Sequence, residues 1–232
     1  MILIGLTGGI ACGKSTVSSL LQEKYQIHII DADRLVRELQ TAGAPCTRKI
    51  ARQWPQCVDP VTGELDRAAL GAIVFESKEA RKKLADIMNG PIFWTIFSEI
   101  WKAWLRSGSR TVVVLDAPTL FETAIFTHFI SGAVVVSCSE EKQIERLQSR
   151  NNYSRPESLN RIRSQMPLEA KRKRAGFVIE NNSNSIDALK TAVDDSVRWM
   201  EKQSSHKLTF MAWGSLLAVA VPIVAIGVTW RR

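Results

Sequence analysis

The chain is poor in the residues that mark special environments. Its 232 residues include four cysteines, two tyrosines and three histidines. The cysteines stand at 12, 46, 57 and 138 with no Cys-x-x-Cys pair. That spacing makes neither a disulfide scaffold nor a zinc knuckle, and a reducing compartment is the simpler reading. His28, His128 and His206 lack metal-ligand spacing and receive no chemistry. Thirteen glycines and eight prolines are too few for a collagen-like chain. With 45% hydrophobic and 23% charged residues, a disordered or fibrous chain is excluded as well. The length suits one domain, or one core with a small insert. Met1 to Leu6 has no basic stretch before it and runs into glycines, so it does not read as a signal peptide.

What is present in excess is positive charge, +8 overall. The excess concentrates between Glu140 and Arg174, where Arg146, Arg150, Arg155, Arg161, Arg163, Lys171, Arg172, Lys173 and Arg174 lie. A solvated helical face, a nucleic acid and a small phosphorylated substrate are all compatible with such a segment. No nucleic-acid partner is expected. One long apolar run closes the chain, from Leu208 to Trp230, without a formal charge. A helix over it would be about 35 Å long, enough to cross a hydrocarbon layer of about 30 Å. Trp213 and Trp230 stand near its ends. The expectation is a single-pass tail anchor over 208–230, with the membrane as partner and the rest of the chain facing the cytosol.

Upstream, short apolar runs predict strands at Ile2 to Leu6, Ile27 to Ile30, Thr111 to Leu115, Ala133 to Ser137 and Phe177 to Ile179. Helical patterns fall between them, at Lys14 to Tyr25, Asp33 to Leu39, Glu140 to Arg150, Pro156 to Gln165, Pro167 to Arg174 and Ile186 to Met200. The stretch from about Thr47 to Trp104 is helical and lacks strands. One of its helices is expected to end near Met88, before Asn89-Gly90-Pro91. Phe93, Trp94, Phe97, Trp101 and Trp104 recur at helical spacing and read as packing. Strands separated by helices predict an α/β fold with a mostly parallel sheet covered on both faces.

The strongest motif is Gly8-Gly9-Ile10-Ala11-Cys12-Gly13-Lys14-Ser15, a GxxxxGKS loop between a strand and an amphipathic helix. Backbone N–H groups of such a loop wrap a phosphate, and the helix directs its positive end at the same group. Lys14 reaches the terminal phosphates of ATP, Ser15 offers a hydroxyl to Mg²⁺, and Thr16 stands beside it. Cys12 replaces a small residue and has no assigned catalytic role. Asp31, Asp33 and Asp116 follow strands, and in a parallel sheet ligands sit beyond those strand ends. A carboxylate there can take the proton of an acceptor hydroxyl or hold Mg²⁺. Equally, Asp33 can be a helix N-cap, and Asp116 can serve the Asp116-Ala117-Pro118 turn.

With these residues in place the chain resembles dephospho-coenzyme A kinases, from about Ile2 to Met200. The most specific blocks are Gly5 to Thr16 and Ile30-Asp31-Ala32-Asp33. Others are Gly63-Glu64-Leu65-Asp66-Arg67, Leu115 to Glu122, Arg163 to Leu168 with Lys171 and Arg174, and Phe177 to Asn182. The resemblance implies a P-loop nucleoside-kinase-like three-layer core, a helical substrate-binding insert at about 35–104 and a lid at about 140–174, all within residues 1–203. It implies transfer of the ATP γ-phosphate to the ribose 3′-hydroxyl of dephospho-CoA, with ATP and Mg²⁺ required and a monomeric soluble part. Asp33 and Lys14 are then catalytic. Gly8, Gly9, Ile10, Ala11, Cys12, Gly13, Lys14, Ser15, Thr16, Arg146, Arg150 and Asn181 bind the nucleotide, with Asn181 near the adenine. Ser15 and Asp116 bind the metal. The chain departs from the family at Asn89-Gly90-Pro91, where many members have His-Pro, at Ala117 and Thr119, which replace larger apolar residues, and at Asn151 to Ser154. Its hydrophobic tail resembles that of eukaryotic forms. Two other readings stay open: a P-loop kinase of another nucleoside or nucleotide, and a membrane-tethered nucleotide-binding regulator. The second is disfavoured by the lack of an Asn-Lys-x-Asp signature.

Overall fold

A computed structural model describes residues 1–108, 110–183 and 185–204. The chain divides into two compact units. One comprises Met1–Ile29 and the chain from Ser107 onward, and the other is Ile30–Arg106.

The sheet has five strands: β1 (Ile2–Gly8), β2 (His28–Asp31), β3 (Val112–Asp116), β4 (Gly132–Ser137) and β5 (Phe177–Glu180), in the order β2-β3-β1-β4-β5. The pairs of β1 with β3, β1 with β4 and β4 with β5 are parallel. Central β1 is buried along its whole length, and for this reason it reads as an unbroken apolar run rather than an alternation. Ile2, Ile4 and Leu6, with Val112, Val114, Val134 and Val136, join a core with Val17 and Leu21 of α1 (Lys14–Tyr25). Leu189, Val193, Val197 and Met200 of α10 (Ile186–Glu201) complete it. The alternate residues Leu3, Val113, Leu115, Ala133 and Val135 are buried too. On that side a Cβ at Gly5 would collide with Leu120 of α6 (Leu120–Thr123). Between β4 and β5 lie α7 (Glu140–Asn151), α8 (Arg155–Arg163) and α9 (Leu168–Arg172).

The second unit holds α2 (Ala32–Leu39), α3 (Pro45–Gln53), α4 (Arg67–Glu76) and the 29-residue α5 (Lys78–Arg106). Its core gathers Cys46, Ile50, Trp54, Cys57, Leu70, Ala80 and Met88. Asp66, from the Gly63–Arg67 block, caps α4 by accepting from the N–H groups of Ala68 and Ala69 at 2.9 Å each. The expected helix end near Met88 is corrected: α5 continues through Asn89, Gly90 and Pro91. Pro91 removes one intrahelical bond. However, the apolar series Met88, Ile92, Ile96 and Ile100 keeps its four-residue step across the proline, with Ile96 and Ile100 buried. Beyond it Phe97 stacks on Trp101 at 6.3 Å between ring centroids, and Trp101 on Trp104 at 5.0 Å.

The membrane reading requires correction. Among the described residues no helix is long and apolar enough to cross a membrane. Even α5, which has the length, carries Lys78, Glu79, Arg81, Lys82, Lys83, Asp86, Glu99, Lys102 and Arg106. Residues 208–230, on which the tail was placed, lie outside the described residues. Among the described residues the fold therefore includes no C-terminal membrane helix, and the membrane partner and membrane location drawn from it are withdrawn.

Candidate active site

The phosphate loop is built by the step from β1 to α1. Gly8 closes the strand, and the Cys12 N–H donates to the Gly9 carbonyl at 3.2 Å, which tightens the turn. Gly13 caps α1 in the left-handed region, at φ 92°. Only glycine takes that conformation without strain, and a Cβ there would fall on the Asn181 side-chain nitrogen. No side chain caps the start of α1 and no acid stands in its first turn. Its first N–H groups thus have no side-chain cap, which suits a helix start that binds an anion. Ala11, at φ 59°, is a second left-handed position in the loop.

Three consecutive loop carbonyls are held from outside. Gln143 Nε2 donates to the Ile10 carbonyl at 2.7 Å. Arg146 Nη1 donates to that of Ala11 at 3.3 Å, and Asn181 Nδ2 to that of Cys12 at 2.8 Å. In a trans peptide the next N–H points the opposite way. The N–H groups of Ala11 and Gly13 therefore face away from these braces, in the arrangement of an anion-binding nest. The Ile10 N–H itself donates to Gln165 Oε1 at 3.0 Å.

Leu6 is in register with Asp116, and the Ala117 N–H donates to the Leu6 carbonyl at 3.0 Å. This brings the end of β3 beside the loop, where the Lys14 ammonium and the Asp116 carboxylate form a close ion pair. Asp116 is only 5% exposed. A buried lysine, Lys171, lies behind the pair. Its ammonium donates to the carbonyls of Pro118 at 2.8 Å and Gly8 at 3.3 Å, and pairs with Glu122 at 2.8 Å. The Thr7 hydroxyl also donates to the Pro118 carbonyl, at 2.9 Å.

The site residues read from the sequence divide as follows. Gly8 to Thr16, Asp116, Arg146 and Asn181 belong to one unit, and the bonds above join the loop to the last three. Arg146 uses its guanidinium on the carbonyls of Ala11 and, at 3.0 Å, Asn181. Arg150 is exposed and donates to Asn151 Oδ1 at 2.9 Å. Asp33 lies in the other unit, exposed in the first turn of α2. It is not the cap of that helix, because Asp31 accepts from the Arg34 N–H at 2.9 Å. Gln143 and the bracing role of Gln165 and Lys171 had no sequence signal of their own. Gln143 sits on a charged helix in no motif, Gln165 stands out only as part of a family block, and Lys171 only in that block and in the basic segment.

Cys12 and Cys138 meet at 3.3 Å between sulfurs, both buried. Their contact, then burial, pushes the Cys12 thiol far up. The same contact, with Arg146 nearby, holds the Cys138 thiol below its ordinary range.

A family model described as dephospho-CoA kinase matches residues 2–187. The chain belongs to the dephospho-CoA kinase family. The hydrophobic tail expected with the family lies outside the residues that this family model matches. The chain is 42% identical over 206 residues to a dephospho-CoA kinase of Carboxydothermus hydrogenoformans, covering 88% of this chain and 98% of that one. It is 37% identical over 230 residues to a dephospho-CoA kinase domain-containing protein of Danio rerio, covering 97% and 99%. A solved structure from Thermus thermophilus superposes with a TM-score of 0.71 at 32% identity, covering 85% of this chain and 96% of that one. The protein is accordingly an ATP-dependent kinase that phosphorylates dephospho-CoA.

Proposed function

We propose that the chain transfers the γ-phosphoryl group of ATP to the ribose 3′-hydroxyl of dephospho-CoA, releasing coenzyme A and ADP. The observation that carries this reading is the phosphate loop, with its carbonyls braced outward and Lys14 at its helical end. The loop N–H groups and the start of α1 bind the ATP phosphates. Lys14 stabilises charge as it builds on the moving phosphoryl oxygens. Asp33, free of capping duty, takes the proton of the acceptor hydroxyl and orients it. Residues 35–104 bind the substrate, and 140–174 form the lid, whose α7 also grips the loop through Gln143 and Arg146.

Ser15 and Asp116 offer hard oxygens, a donor set that suits Mg²⁺ and not a soft metal. They are the residues that would hold it, and Mg²⁺ there would neutralise charge on the nucleotide phosphates. Asp116 also neutralises Lys14 in this structure.

The test mixes the full chain with Mg-ATP and dephospho-CoA and identifies the phosphorylated position by mass spectrometry and NMR. Adenosine and nucleoside monophosphates serve as competitors. A lower kcat/KM for dephospho-CoA than for these would overturn the substrate assignment. Lys14→Ala should cost roughly 10²- to 10³-fold in rate. Asp33→Asn should cost about 10²-fold with the fold retained by circular dichroism, and a rate within about threefold of the parent removes Asp33 as the base.

A further inference from the structure

The mechanism leaves one reactive constellation unused. Cys12 lies at the centre of the phosphate loop, and Cys138 immediately follows β4, the strand beside β1. Their sulfurs are 3.3 Å apart. Cys138 also lines a cavity of about 650 Å³ together with Gly9, Gln143, Arg172, Glu180 and Asn182. A small solute that enters this cavity arrives beside Cys138.

We propose that Cys12 and Cys138 form an oxidation site, at which a peroxide converts the two thiols to a disulfide that holds the phosphate loop out of its working conformation. The Cys138 sulfur attacks a peroxide oxygen, the O–O bond breaks, and Cys138 becomes a sulfenic acid as the first water leaves. The Cys12 sulfur then attacks that sulfur. The S–S bond forms, the S–O bond breaks, and the departing hydroxide takes the Cys12 proton as a second water. The two thiols lose two electrons, and one peroxide becomes two waters. Cys138 is the first nucleophile, since it lines the cavity through which the peroxide arrives and Cys12 does not, and the Arg146 guanidinium nearby favours its thiolate.

A disulfide bond is about 2.05 Å long, so the sulfurs must close by roughly 1.2 Å. Cys12 cannot move alone. Its N–H is bonded to Gly9 and its carbonyl to Asn181. The movement therefore pulls on the turn that shapes the nest, whereas β4 is paired on both sides and yields less. A displacement near 1 Å in a phosphate-positioning loop costs about 10²-fold in rate. A thiol reductant restores the loop.

The experiment treats the full chain with hydrogen peroxide, quenches it, and maps peptides without reduction. The expected result is a Cys12–Cys138 crosslinked peptide, two hydrogens lighter than the free pair, which dithiothreitol abolishes. Phosphorylation of dephospho-CoA should fall about 10²-fold and return with dithiothreitol. Cys138→Ser and Cys138→Ala, checked by circular dichroism, should keep the untreated rate and resist the same peroxide dose. A crosslink confined to other cysteines, no crosslink at all, or inactivation that persists in both Cys138 variants would overturn the proposal. The peptide map does not depend on turnover, so it reads the site separately from the reaction.

Discussion

The Lys171 ammonium is bonded to the carbonyl oxygen of Gly8, 163 residues before it in the chain. The lysine is fully buried, and its other bonds go to Pro118 and Glu122. One cation thereby ties the start of the phosphate loop to the segment that follows Asp116. It braces the backbone of the two segments that carry Lys14 and Asp116.

Lys171→Met should therefore destabilise the chain by about 2–4 kcal/mol, because the Gly8 carbonyl, the Pro118 carbonyl and the Glu122 carboxylate all lose this cationic donor, though Thr7 still donates to Pro118. Glu122→Gln should cost less, about 1 kcal/mol, since its side chain is 26% exposed and the lysine keeps two carbonyls. Urea unfolding of the three proteins checks the order. Equal losses in the two variants would show that the carbonyl bonds contribute little.

The family resemblance implies that Arg146 binds the nucleotide, whereas its guanidinium spans two carbonyls. If bracing is its work, charge alone will not replace it. Arg146→Ala should raise KM for ATP about tenfold, and Arg146→Lys should be nearly as poor, because an ammonium cannot match the planar fork. Steady-state kinetics with varied ATP decide it. A lysine variant close to the parent would favour a point-charge contact with phosphate.

The alternation of strands and helices was legible because buried parallel strands read as apolar runs, as at Val112 to Leu115. The phosphate loop was legible because only glycine suits positions such as 13. The passage of α5 through Asn89-Gly90-Pro91 was not, because the punctuation residues spoke for a break and only the packing of Ile92, Ile96 and Ile100 overrides them. The braces around the loop were hidden for another reason. Gln143, Gln165 and Asn181 act through carbonyl and N–H bonds that span 133, 155 and 169 residues, and no local pattern encodes them. Asp31 rather than Asp33 as the cap of α2 was a choice between two acids two residues apart, which pattern alone leaves open.

Gly13→Ala should destabilise the chain by about 2–3 kcal/mol. Part is the cost of a left-handed backbone with a Cβ, and part is the displaced Asn181 amide and its bond to Cys12. Combined with Asn181→Ala the loss should be less than the sum of the two single losses, since the second change removes the group that the new methyl strikes. Thermal and urea melts of the single and double variants test this. Strict additivity would place the whole cost in the backbone.

The contact between α1 and α10 is sensitive to pH. Asp194 accepts from the Lys24 ammonium at 2.7 Å and from the Tyr25 hydroxyl. Lys24 first, and Tyr25 second, hold the Asp194 carboxyl below the usual carboxylate range. In return Asp194 pushes the Lys24 ammonium up. A carboxyl with a lowered folded value stabilises fully above its unfolded value, about 3.9, and loses that contribution as pH falls through the folded one. An ammonium with a raised folded value stabilises fully below its unfolded value, about 10.4, and loses that contribution as pH rises through the folded one. Asp194→Asn removes both. The Tm difference between parent and variant should therefore be flat between about pH 5 and 9, and shrink below about pH 4 and above about pH 11. Other acids with lowered values, such as Glu141 and Glu157, are common to both proteins and cancel in the difference. Both groups are solvent-exposed, so the plateau should be small and should fall as salt is raised. A gap that persists unchanged at pH 3 would assign the contact to the packing of the side chains and not to their charge.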